Sequence, residues 1–323
     1  MNQPQCTTRA IHTASRMVFL AALLFAHTTL AGQAGKSPVK VFILAGQSNM
    51  EGQGKIKAEP KSNEGKGSLE YLVKDPATAA RFKHLVDKDG KWVVRDNVWI
   101  WYLDRKGCLT VGYGAKEGLI GPELQFGNIM GDYYENQVLL IKTAWGGKSL
   151  AVDFRPPSSG GETGPFYRKI LELTKDVLSN LKTYFPDYDG GGYELAGFGW
   201  HQGWNDRVNQ AFNDEYEKNL ANLTRDLRKD LGVKALPFVI AETGMSGTQE
   251  VHPRALSLMR AQAAVAEYPE FKGNVAFVGT KEFYRPKELS PSGQAYHWNN
   301  NAETYFLIGN GMGEAMKKLC PQR

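Results

Sequence analysis

Ser48 lies in a glycine-flanked turn that directly follows an apolar segment of the chain. A serine hydroxyl is a poor nucleophile unless a base within hydrogen-bond reach accepts its proton. Among the histidines after residue 31, His84 lies in a charged region and His252 opens a helical region. We favour His297 over His201 as the base, because a late loop can reach back over the sheet edge. These residues predict serine-dependent acyl transfer.

Acyl transfer also needs hydrogen-bond donors that point at the developing oxyanion, each often contributing about 3 kcal/mol. Three candidate donors are the backbone N–H of Ser48, the backbone N–H of Gly147 and the side-chain amide of Asn205. A glycine suits the second position because no side chain obstructs the approach of substrate to its backbone. The neighbouring Gly146 is the alternative donor there.

Short apolar segments alternate with segments of helical periodicity after residue 38. Strands are predicted at residues 39–45, 97–103, 137–143, 195–200, 237–241 and 274–278. Helices are predicted at residues 167–181, 209–231, 253–267 and 302–319. This alternation is typical of an α/β fold whose parallel sheet is covered on both faces. Open parallel sheets carry their sites at the carboxyl ends of the strands, where these polar residues follow.

The amino terminus has the features of a secretory signal. Arg9 and Arg16 precede the apolar residues 17–26, and small residues follow. A basic start, a short apolar core and small residues near a cleavage point predict a signal peptide at residues 1–31, cut after Ala31. Ten apolar residues fall short of the ~20 that span a bilayer. We therefore expect a secreted or periplasmic protein with no membrane anchor after cleavage.

The composition is that of a folded protein, and the charge distribution indicates no polyanionic partner. The chain has 323 residues, of which 42% are hydrophobic and 23% are charged. Its net charge of +5 is distributed among interleaved acids and bases, as in residues 225–234, which argues against nucleic-acid binding. No linker divides the chain, so we predict one domain over residues 36–323 with an insertion around residues 52–121.

The cysteines and histidines predict no metal site. Cys6 leaves with the predicted signal, and Cys108 and Cys320 remain. An oxidising compartment permits one bridge between these two, and two free thiols are the alternative. Two cysteines and scattered histidines form no zinc-spaced cluster. We expect neither a metal ion nor a cofactor.

Four blocks occur in the order Ser, Gly, Asn, His, and together they resemble the SGNH hydrolase superfamily. Residues 46–50, Gly-Gln-Ser-Asn-Met, are similar to the nucleophile block of its carbohydrate acetylesterase branch, which includes sialate O-acetylesterases and family 6 acetyl xylan esterases. Residues 145–147 are similar to the glycine block, residues 201–206 to the asparagine block, and His297 to the histidine block. The resemblance spans residues 39–318. It implies a three-layer α/β/α sandwich and metal-free hydrolysis of sugar acetyl esters.

The acid that usually orients the histidine is missing from its expected positions. The superfamily usually has Asp three residues before its histidine, where this chain has Gln294, and some relatives have Glu where this chain has Trp204. Either a Ser–His dyad suffices, with a carbonyl orienting the imidazole, or another acid completes a triad. The candidates for that acid are Asp206, Glu288 and Glu303.

Several side chains in these blocks are candidates for substrate contact. Aromatic rings suit the apolar faces of sugars, although core packing is the usual role of tryptophan. Asp153 and Arg155 either hydrogen-bond the sugar or form a surface ion pair. His201 suits a structural role better than a catalytic one. The candidates are Gln47, Trp145, Asp153, Arg155, His201, Gln202, Trp204 and Trp298.

The sequence therefore favours a serine esterase that removes O-acetyl groups from carbohydrate through an acetyl-enzyme. The sugar is left open between acetylated xylan, another polysaccharide and sialic acid. A general short-chain carboxylesterase and a catalytically inactive carbohydrate-binding homologue are the alternatives. The presence of all four blocks argues against the inactive homologue.

Overall fold

The structure is a computed structural model that describes residues 37–320. The predicted signal peptide at residues 1–31 and its Cys6 lie outside the described residues, so secretion stays a prediction. Within residues 37–320 no helix is both long enough and apolar enough to cross a membrane.

A central sheet of seven strands carries the fold. Its order is β4-β3-β6-β1-β7-β8-β9; neighbouring strands are parallel except the β3–β4 pair, and β2 pairs with β5 in a separate antiparallel ribbon. This mostly parallel sheet confirms the predicted α/β fold class. The strands are β1 Val39–Gly46, β2 Gly54–Lys55, β3 Arg95–Tyr102, β4 Arg105–Leu109, β5 Leu119–Ile120, β6 Val138–Ala144, β7 Tyr193–His201, β8 Phe238–Ala241 and β9 Val275–Val278.

Helices connect the strands and cover the sheet. The α-helices are α1 Ser48–Glu51, α2 Leu69–Leu72, α3 Ala79–Phe82, α4 Glu123–Tyr133, α5 Pro165–Ser179, α6 Leu181–Tyr184, α7 Trp204–Arg207, α8 Gln210–Asp214, α9 Tyr216–Asp230, α10 Pro253–Ala266 and α11 Ala302–Leu319. Short 3₁₀ segments are Asn63–Gly65, Lys83–Leu85, Pro157–Ser159, Gly247–Gln249, Pro269–Phe271, Lys281–Phe283, Lys287–Leu289 and Ala295–Asn300.

Apart from Lys40, the central strand β1 is apolar because both of its faces are buried. Successive side chains of a strand point to opposite faces. Phe42 and Leu44 pack in the layer that contains α4 and α11. Ile43 and Ala45 pack in the layer that contains α5, α9 and α10. The three-layer arrangement follows from this alternation.

The predicted elements agree with the structure to within two residues at each end, with three differences. The helix predicted at residues 209–231 is broken at Glu215, whose φ of −98° and ψ of 0° separate α8 from α9. Within the predicted insertion, β3 matches the strand predicted at residues 97–103, whereas β4 was not predicted and joins the main sheet antiparallel to β3. Helix α4 was not predicted, because most of its residues are buried and no amphipathic period marks it.

The two remaining cysteines are not bridged to each other. Cys320 is a free, half-buried thiol next to the end of α11. The structure therefore excludes a Cys108–Cys320 bridge, and the alternative of two free thiols is also wrong, because Cys108 is not a free thiol. Burial raises the pKa of the Cys320 thiol to about 11.

Gly46 allows β1 and β7 to approach closely at their carboxyl ends. It lies opposite His201 in the register of the two strands. A Cβ atom placed on Gly46 would lie 2.1 Å from the carbonyl oxygen of His201, far inside van der Waals contact. The two loops that follow these strands therefore begin side by side.

We predict that Gly46→Ala lowers the free energy of unfolding by about 3 kcal/mol, because the backbone atoms it meets cannot move aside as a side chain would. Gly118→Ala is the matched control, since no atom lies within 4 Å of a Cβ at that position. Urea unfolding of both variants measures the difference. Equal midpoints for Gly46→Ala and the wild type would contradict this interpretation of the strand ends.

Candidate active site

The candidate site lies at the carboxyl ends of β1, β6 and β7. The chain adds β6 on one side of β1 and β7 on the other, so the strand order reverses at this point. Ligands of open parallel sheets bind at such a reversal. Ser48 follows β1, Gly147 follows β6 and Asn205 follows β7. The fold therefore brings the three predicted blocks to one edge of the sheet.

Gln47 ties the loop after β1 to the loop after β7. Its Oε1 accepts hydrogen bonds from the N–H groups of Gly203 at 3.0 Å and Asn205 at 3.3 Å. Its Nε2 lies 3.3 Å from Asn205 Oδ1, to which it donates. The Gln47 side chain is only 2% exposed. It was predicted as a candidate for substrate contact, and the structure instead gives it the role of positioning Asn205.

Asn205 in turn holds the glycine loop. Its Nδ2 donates to the carbonyl oxygen of Gly147 at 2.6 Å. The N–H of Gly146 donates to the carboxylate of Glu51, whereas the N–H groups of Ser48 and Gly147 have no hydrogen-bond partner within residues 37–320. A Cβ placed on Gly146 would lie 4.0 Å from Ser48 Cβ, so the loop lies beside the serine. Of the two glycines, Gly147 therefore has the N–H left open for a ligand.

A buried polar cluster lies beneath the Ser48 turn. Lys142 and Glu123 are both fully buried, and Lys142 Nζ lies 2.9 Å from Glu123 Oε2. Lys142 Nζ also donates to the carbonyl oxygen of Glu51 at 2.5 Å. Tyr102 donates its hydroxyl to Glu51 Oε1 at 3.2 Å, and burial raises the pKa of the Glu51 carboxyl. These contacts fix the end of α1 and, through Glu51, the position of Gly146.

This cluster was missed in the sequence. The available signal was a lysine inside the apolar strand β6, Val-Leu-Leu-Ile-Lys-Thr-Ala. A charged side chain at a fully buried strand position needs a partner, because an isolated buried charge is strongly destabilising. The sequence shows that need without showing which acid meets it.

His297 lies in the 3₁₀ segment Ala295–Asn300, close to the serine turn. Asn49, the residue after Ser48, donates through Nδ2 to the carbonyl oxygen of Tyr296 at 3.1 Å. One hydrogen bond therefore links the neighbours of the two residues predicted as nucleophile and base. The His297 side chain is half-buried, and burial lowers the pKa of its imidazole. A neutral imidazole suits a proton acceptor.

Asp206, a candidate orienting acid, is hydrogen-bonded to groups other than His297. Its carboxylate accepts hydrogen bonds from the N–H groups of Leu150 and Ala151, both at 2.8 Å, and from Gln202 Nε2 at 2.5 Å. The side chain is fully buried, and burial raises the pKa of its carboxyl to about 6. Asp206 therefore holds the segment after the glycine block and leaves no contact to His297.

The other two candidate acids are also placed away from the imidazole. Glu303 forms ion pairs with Arg81 and Arg285. Glu288 has a side chain that is 65% exposed in a 3₁₀ turn. Among the residues that the structure describes, no carboxylate is hydrogen-bonded to the ring of His297. The structure thus supports none of the three as the orienting acid.

His201 and Gln202 lie beneath the site surface. His201 is 1% exposed, its Nδ1 lies 3.3 Å from the carbonyl oxygen of Ala241, and burial lowers its pKa to about 4. Gln202 is equally buried and donates to Asp206 and to the carbonyl oxygen of Lys148. Both were candidates for substrate contact, and burial excludes that role.

The three tryptophans predicted near the site have different roles. Trp298 is fully buried in the core, so its predicted contact with substrate is wrong. Trp145 is half-buried and packs against Phe166, with ring centroids 4.9 Å apart. Trp204 is half-buried and lies 5.9 Å from the ring of Tyr296, which is 41% exposed. The pair Trp204–Tyr296 therefore forms an aromatic surface beside Asn205 and His297, and Tyr296 was not predicted.

Asp153 and Arg155 are occupied by contacts within the protein. Asp153 Oδ2 accepts the N–H of Ser149 at 2.8 Å. Arg155 pairs with Glu215 at 3.1 Å and donates to the carbonyl oxygens of its own loop. Their alternative interpretation as structural side chains fits these contacts better than sugar binding does.

In the described part of the chain, no group of three or more His, Cys, Asp and Glu side chains is placed to hold a metal ion. A hydroxyl, backbone N–H groups and an amide lie at the Ser48 edge, and the backbone of the histidine loop is hydrogen-bonded to the serine turn. These are the groups that acyl transfer uses.

Known structures share this fold. A protein from Arabidopsis thaliana superposes with a TM-score of 0.54 at 18% identity, covering 86% of this chain and 98% of that chain. NanS superposes with a TM-score of 0.53 at 14% identity, covering 87% and 97%. XAC1771, described as a novel carbohydrate acetylesterase from Xanthomonas citri, superposes with a TM-score of 0.50 at 13% identity, covering 87% and 56%. At these identities the likeness concerns the fold.

The sequence itself assigns the family. A comparison with curated proteins found no match. A family model described as carbohydrate esterase, sialic acid-specific acetylesterase, matches residues 38–318, which include all the described strands and helices apart from the last residue of α11. The chain therefore belongs to this family of carbohydrate esterases and is a carboxylic ester hydrolase.

Proposed function

We propose that this esterase removes O-acetyl groups from a sugar, with Ser48 as nucleophile and His297 as base. The observation that carries the proposal is the hydrogen-bonded chain from Gln47 through Asn205 to Gly147. It ties together the turns that carry the three proposed donors, without a substrate present. Such preorganised donors are usually the largest contribution to acyl-transfer catalysis.

The proposed reaction has two halves. Ser48 Oγ attacks the acetyl carbonyl carbon while His297 accepts the hydroxyl proton. The N–H groups of Ser48 and Gly147 and the second amide hydrogen of Asn205 stabilise the oxyanion. The intermediate collapses to an acetyl-serine, and the protonated imidazole gives its proton to the departing sugar oxygen. His297 then activates water, whose attack releases acetate and restores the serine.

We infer a Ser–His dyad, because the candidate acids are bound elsewhere. An orienting carboxylate would stabilise the imidazolium that forms during each half-reaction. Without one, the imidazole depends on its backbone for orientation. Burial of His297 favours its neutral form, which keeps it competent as a base.

The surroundings of Trp204 favour a sugar that carries a carboxylate. Arg207 lies with its guanidinium carbon 4.3 Å from the Trp204 ring centroid. Arg207 is half-buried and forms no salt bridge within residues 37–320, although its charge helps to lower the pKa of the nearby Glu250 carboxyl. A guanidinium outside a salt bridge suits a carboxylate, and the aromatic pair suits the apolar face of the ring. This combination favours O-acetylated sialic acid over neutral acetylated xylan.

Acetate release tests the activity. The substrates are O-acetylated sialic acid, acetylated xylan and a chain-length series of chromogenic esters. Release from an acetylated sugar, with a preference for acetate among the esters, supports the proposal. Equal or better hydrolysis of longer esters would favour a general carboxylesterase, and no release from any substrate would favour a binding protein.

We predict that Ser48→Ala and His297→Ala each lower kcat by at least about a thousandfold, because each removes one partner of the acyl-transfer step. Ser179→Ala and His84→Ala are matched controls, since both residues are exposed and neither lies at the Ser48 edge. Steady-state kinetics on a chromogenic acetate gives the comparison. Undiminished turnover by Ser48→Ala would reject the mechanism.

We predict an acid limb of kcat/KM with its midpoint below pH 6.5. Burial lowers the pKa of His297, so the imidazole stays neutral to a lower pH than an exposed histidine, and activity rises as it loses its proton. The Asp206 carboxyl also titrates in this region. An NMR titration of His297 in Ser48→Ala identifies the group. A kinetic midpoint above pH 7, or one that differs from the pKa of His297 in the NMR titration, would contradict the assignment.

We predict that Arg207→Gln raises KM for O-acetylated sialic acid about tenfold, the equivalent of roughly 1.4 kcal/mol, and leaves KM for a neutral acetylated xylo-oligosaccharide unchanged. Arg168→Gln is the control, because this arginine is exposed on α5. An equal rise in KM on both substrates would show that Arg207 supports the structure of the site rather than binding a carboxylate.

A further inference from the structure

Asn49 connects the serine turn to the histidine loop through both ends of its amide. Its Nδ2 donates to the carbonyl oxygen of Tyr296 at 3.1 Å, and its Oδ1 accepts the hydroxyl of Tyr305 at 2.7 Å. Asn49 is 1% exposed, so water does not compete for either bond. The residue next to the proposed nucleophile thus holds the residue next to the proposed base.

Tyr305 completes the connection from α11. It is fully buried, and its hydroxyl lies 3.3 Å from the carbonyl oxygen of His297 while it donates to Asn49. The same hydroxyl accepts the backbone N–H of Gln53, just after α1. One phenol oxygen therefore contacts the serine turn, the segment after it and the histidine itself.

The backbone after His297 is strained and needs such external contacts. Trp298, Asn299 and Asn300 have φ values of +51°, +53° and +57°. The left-handed conformation is unfavourable for residues other than glycine. Each such residue costs on the order of 1–3 kcal/mol unless the surrounding structure enforces the conformation. Asn300 Nδ2 donates to the carbonyl oxygen of Gln53 at 2.9 Å, a second contact with the same segment. The histidine loop is therefore held in this conformation by the segment that follows Ser48.

We propose that Asn49 and Tyr305 form a clasp that positions His297 against Ser48 and does part of the work of an orienting acid. The proposal rests on the assignment of Ser48 and His297 in the proposed function. With no carboxylate on the imidazole, the ring is directed by its backbone, and the clasp fixes that backbone at the carbonyl groups of residues 296 and 297. Asn49 and Tyr305 are positioning residues, since neither contacts the reacting atoms.

The mechanism makes a specific demand on the clasp. Proton transfer between Ser48 and His297 requires the two side chains at hydrogen-bond distance. A displacement of about 1 Å can lower the rate of such a step about a hundredfold. Sugar binding at Trp204 and Tyr296 does not require the proton transfer. Loss of the clasp should therefore lower kcat and leave KM nearly unchanged.

The test compares Tyr305→Phe with Tyr167→Phe. Tyr305→Phe removes only the hydroxyl and keeps the ring in the core. Tyr167 is a matched control, because it is also buried and its hydroxyl donates to Asp230 at 2.7 Å on the far side of the sheet. We expect Tyr305→Phe to lower kcat by roughly 10- to 100-fold with KM within about twofold, and Tyr167→Phe to lower neither.

Two further measurements separate positioning from general destabilisation. The first is the rate at which a small organophosphate labels Ser48, which reports base-assisted attack without sugar binding. This rate should fall together with kcat in Tyr305→Phe. The second is the midpoint of thermal unfolding, which should be similar for the two tyrosine variants. Asn49→Ala should show the same fall in kcat and in labelling rate. The Asn49→Ala/Tyr305→Phe double variant should lose little more than Asn49→Ala alone, because both residues act through one connection.

A Tyr305→Phe enzyme that keeps kcat and the labelling rate within twofold of wild type would overturn the clasp. Equal losses in Tyr305→Phe and Tyr167→Phe would also overturn it, since the effect would then be one of stability. Failure of the proposed function is reported separately by Ser48→Ala. A fully active Ser48→Ala variant rejects the mechanism. An inactive Ser48→Ala variant together with a fully active Tyr305→Phe variant rejects the clasp alone.

Discussion

The hydrogen bonds of the Gln47 amide are the interaction on which the site depends. Three loops follow three parallel strands, and nothing in a sheet determines how such loops meet. Gln47 binds Gly203 and Asn205, and Asn205 binds Gly147, so the loops after β1, β7 and β6 form one connected unit. Gln47 is only 2% exposed, so its own bonds lie in a water-poor environment, where each is stronger and its loss more damaging than at the surface, whereas the Asn205–Gly147 bond is exposed. The turns that carry the proposed donors are thereby connected before substrate arrives.

The polar cluster below the serine turn supports that unit from the sheet. Placing Lys142 and Glu123 in the core carries a large desolvation penalty, which their pairing and hydrogen bonds offset only in part. Such a pair contributes geometry more than stability. Through Glu51 it holds the end of α1 and the Gly146 peptide, which are the two supports of the proposed oxyanion donors. The buried charge of Lys142 is thus explained by the groups it positions, the end of α1 and the Gly146 peptide.

The sequence predicted the sheet well, because strand burial is a local property, and the roles of the residues in the four blocks stay predictions. It predicted α4 poorly, since a helix that is buried on most sides loses its period. Trp298 was mistaken for a sugar contact because a residue beside a catalytic block can point either way, and here it points into the core. The clasp between Asn49 and Tyr305 joins residues far apart in sequence, and only the fold shows it.

We propose Ser48 as the nucleophile of this carbohydrate esterase. The most direct measurement is organophosphate labelling of the wild-type enzyme, with mass spectrometry of its peptides and residual activity followed together. We expect one label per chain on Ser48, loss of activity in proportion to labelling, and protection by an acetylated sugar. Complete inactivation with the label on another residue, or full activity with Ser48 labelled, would contradict it.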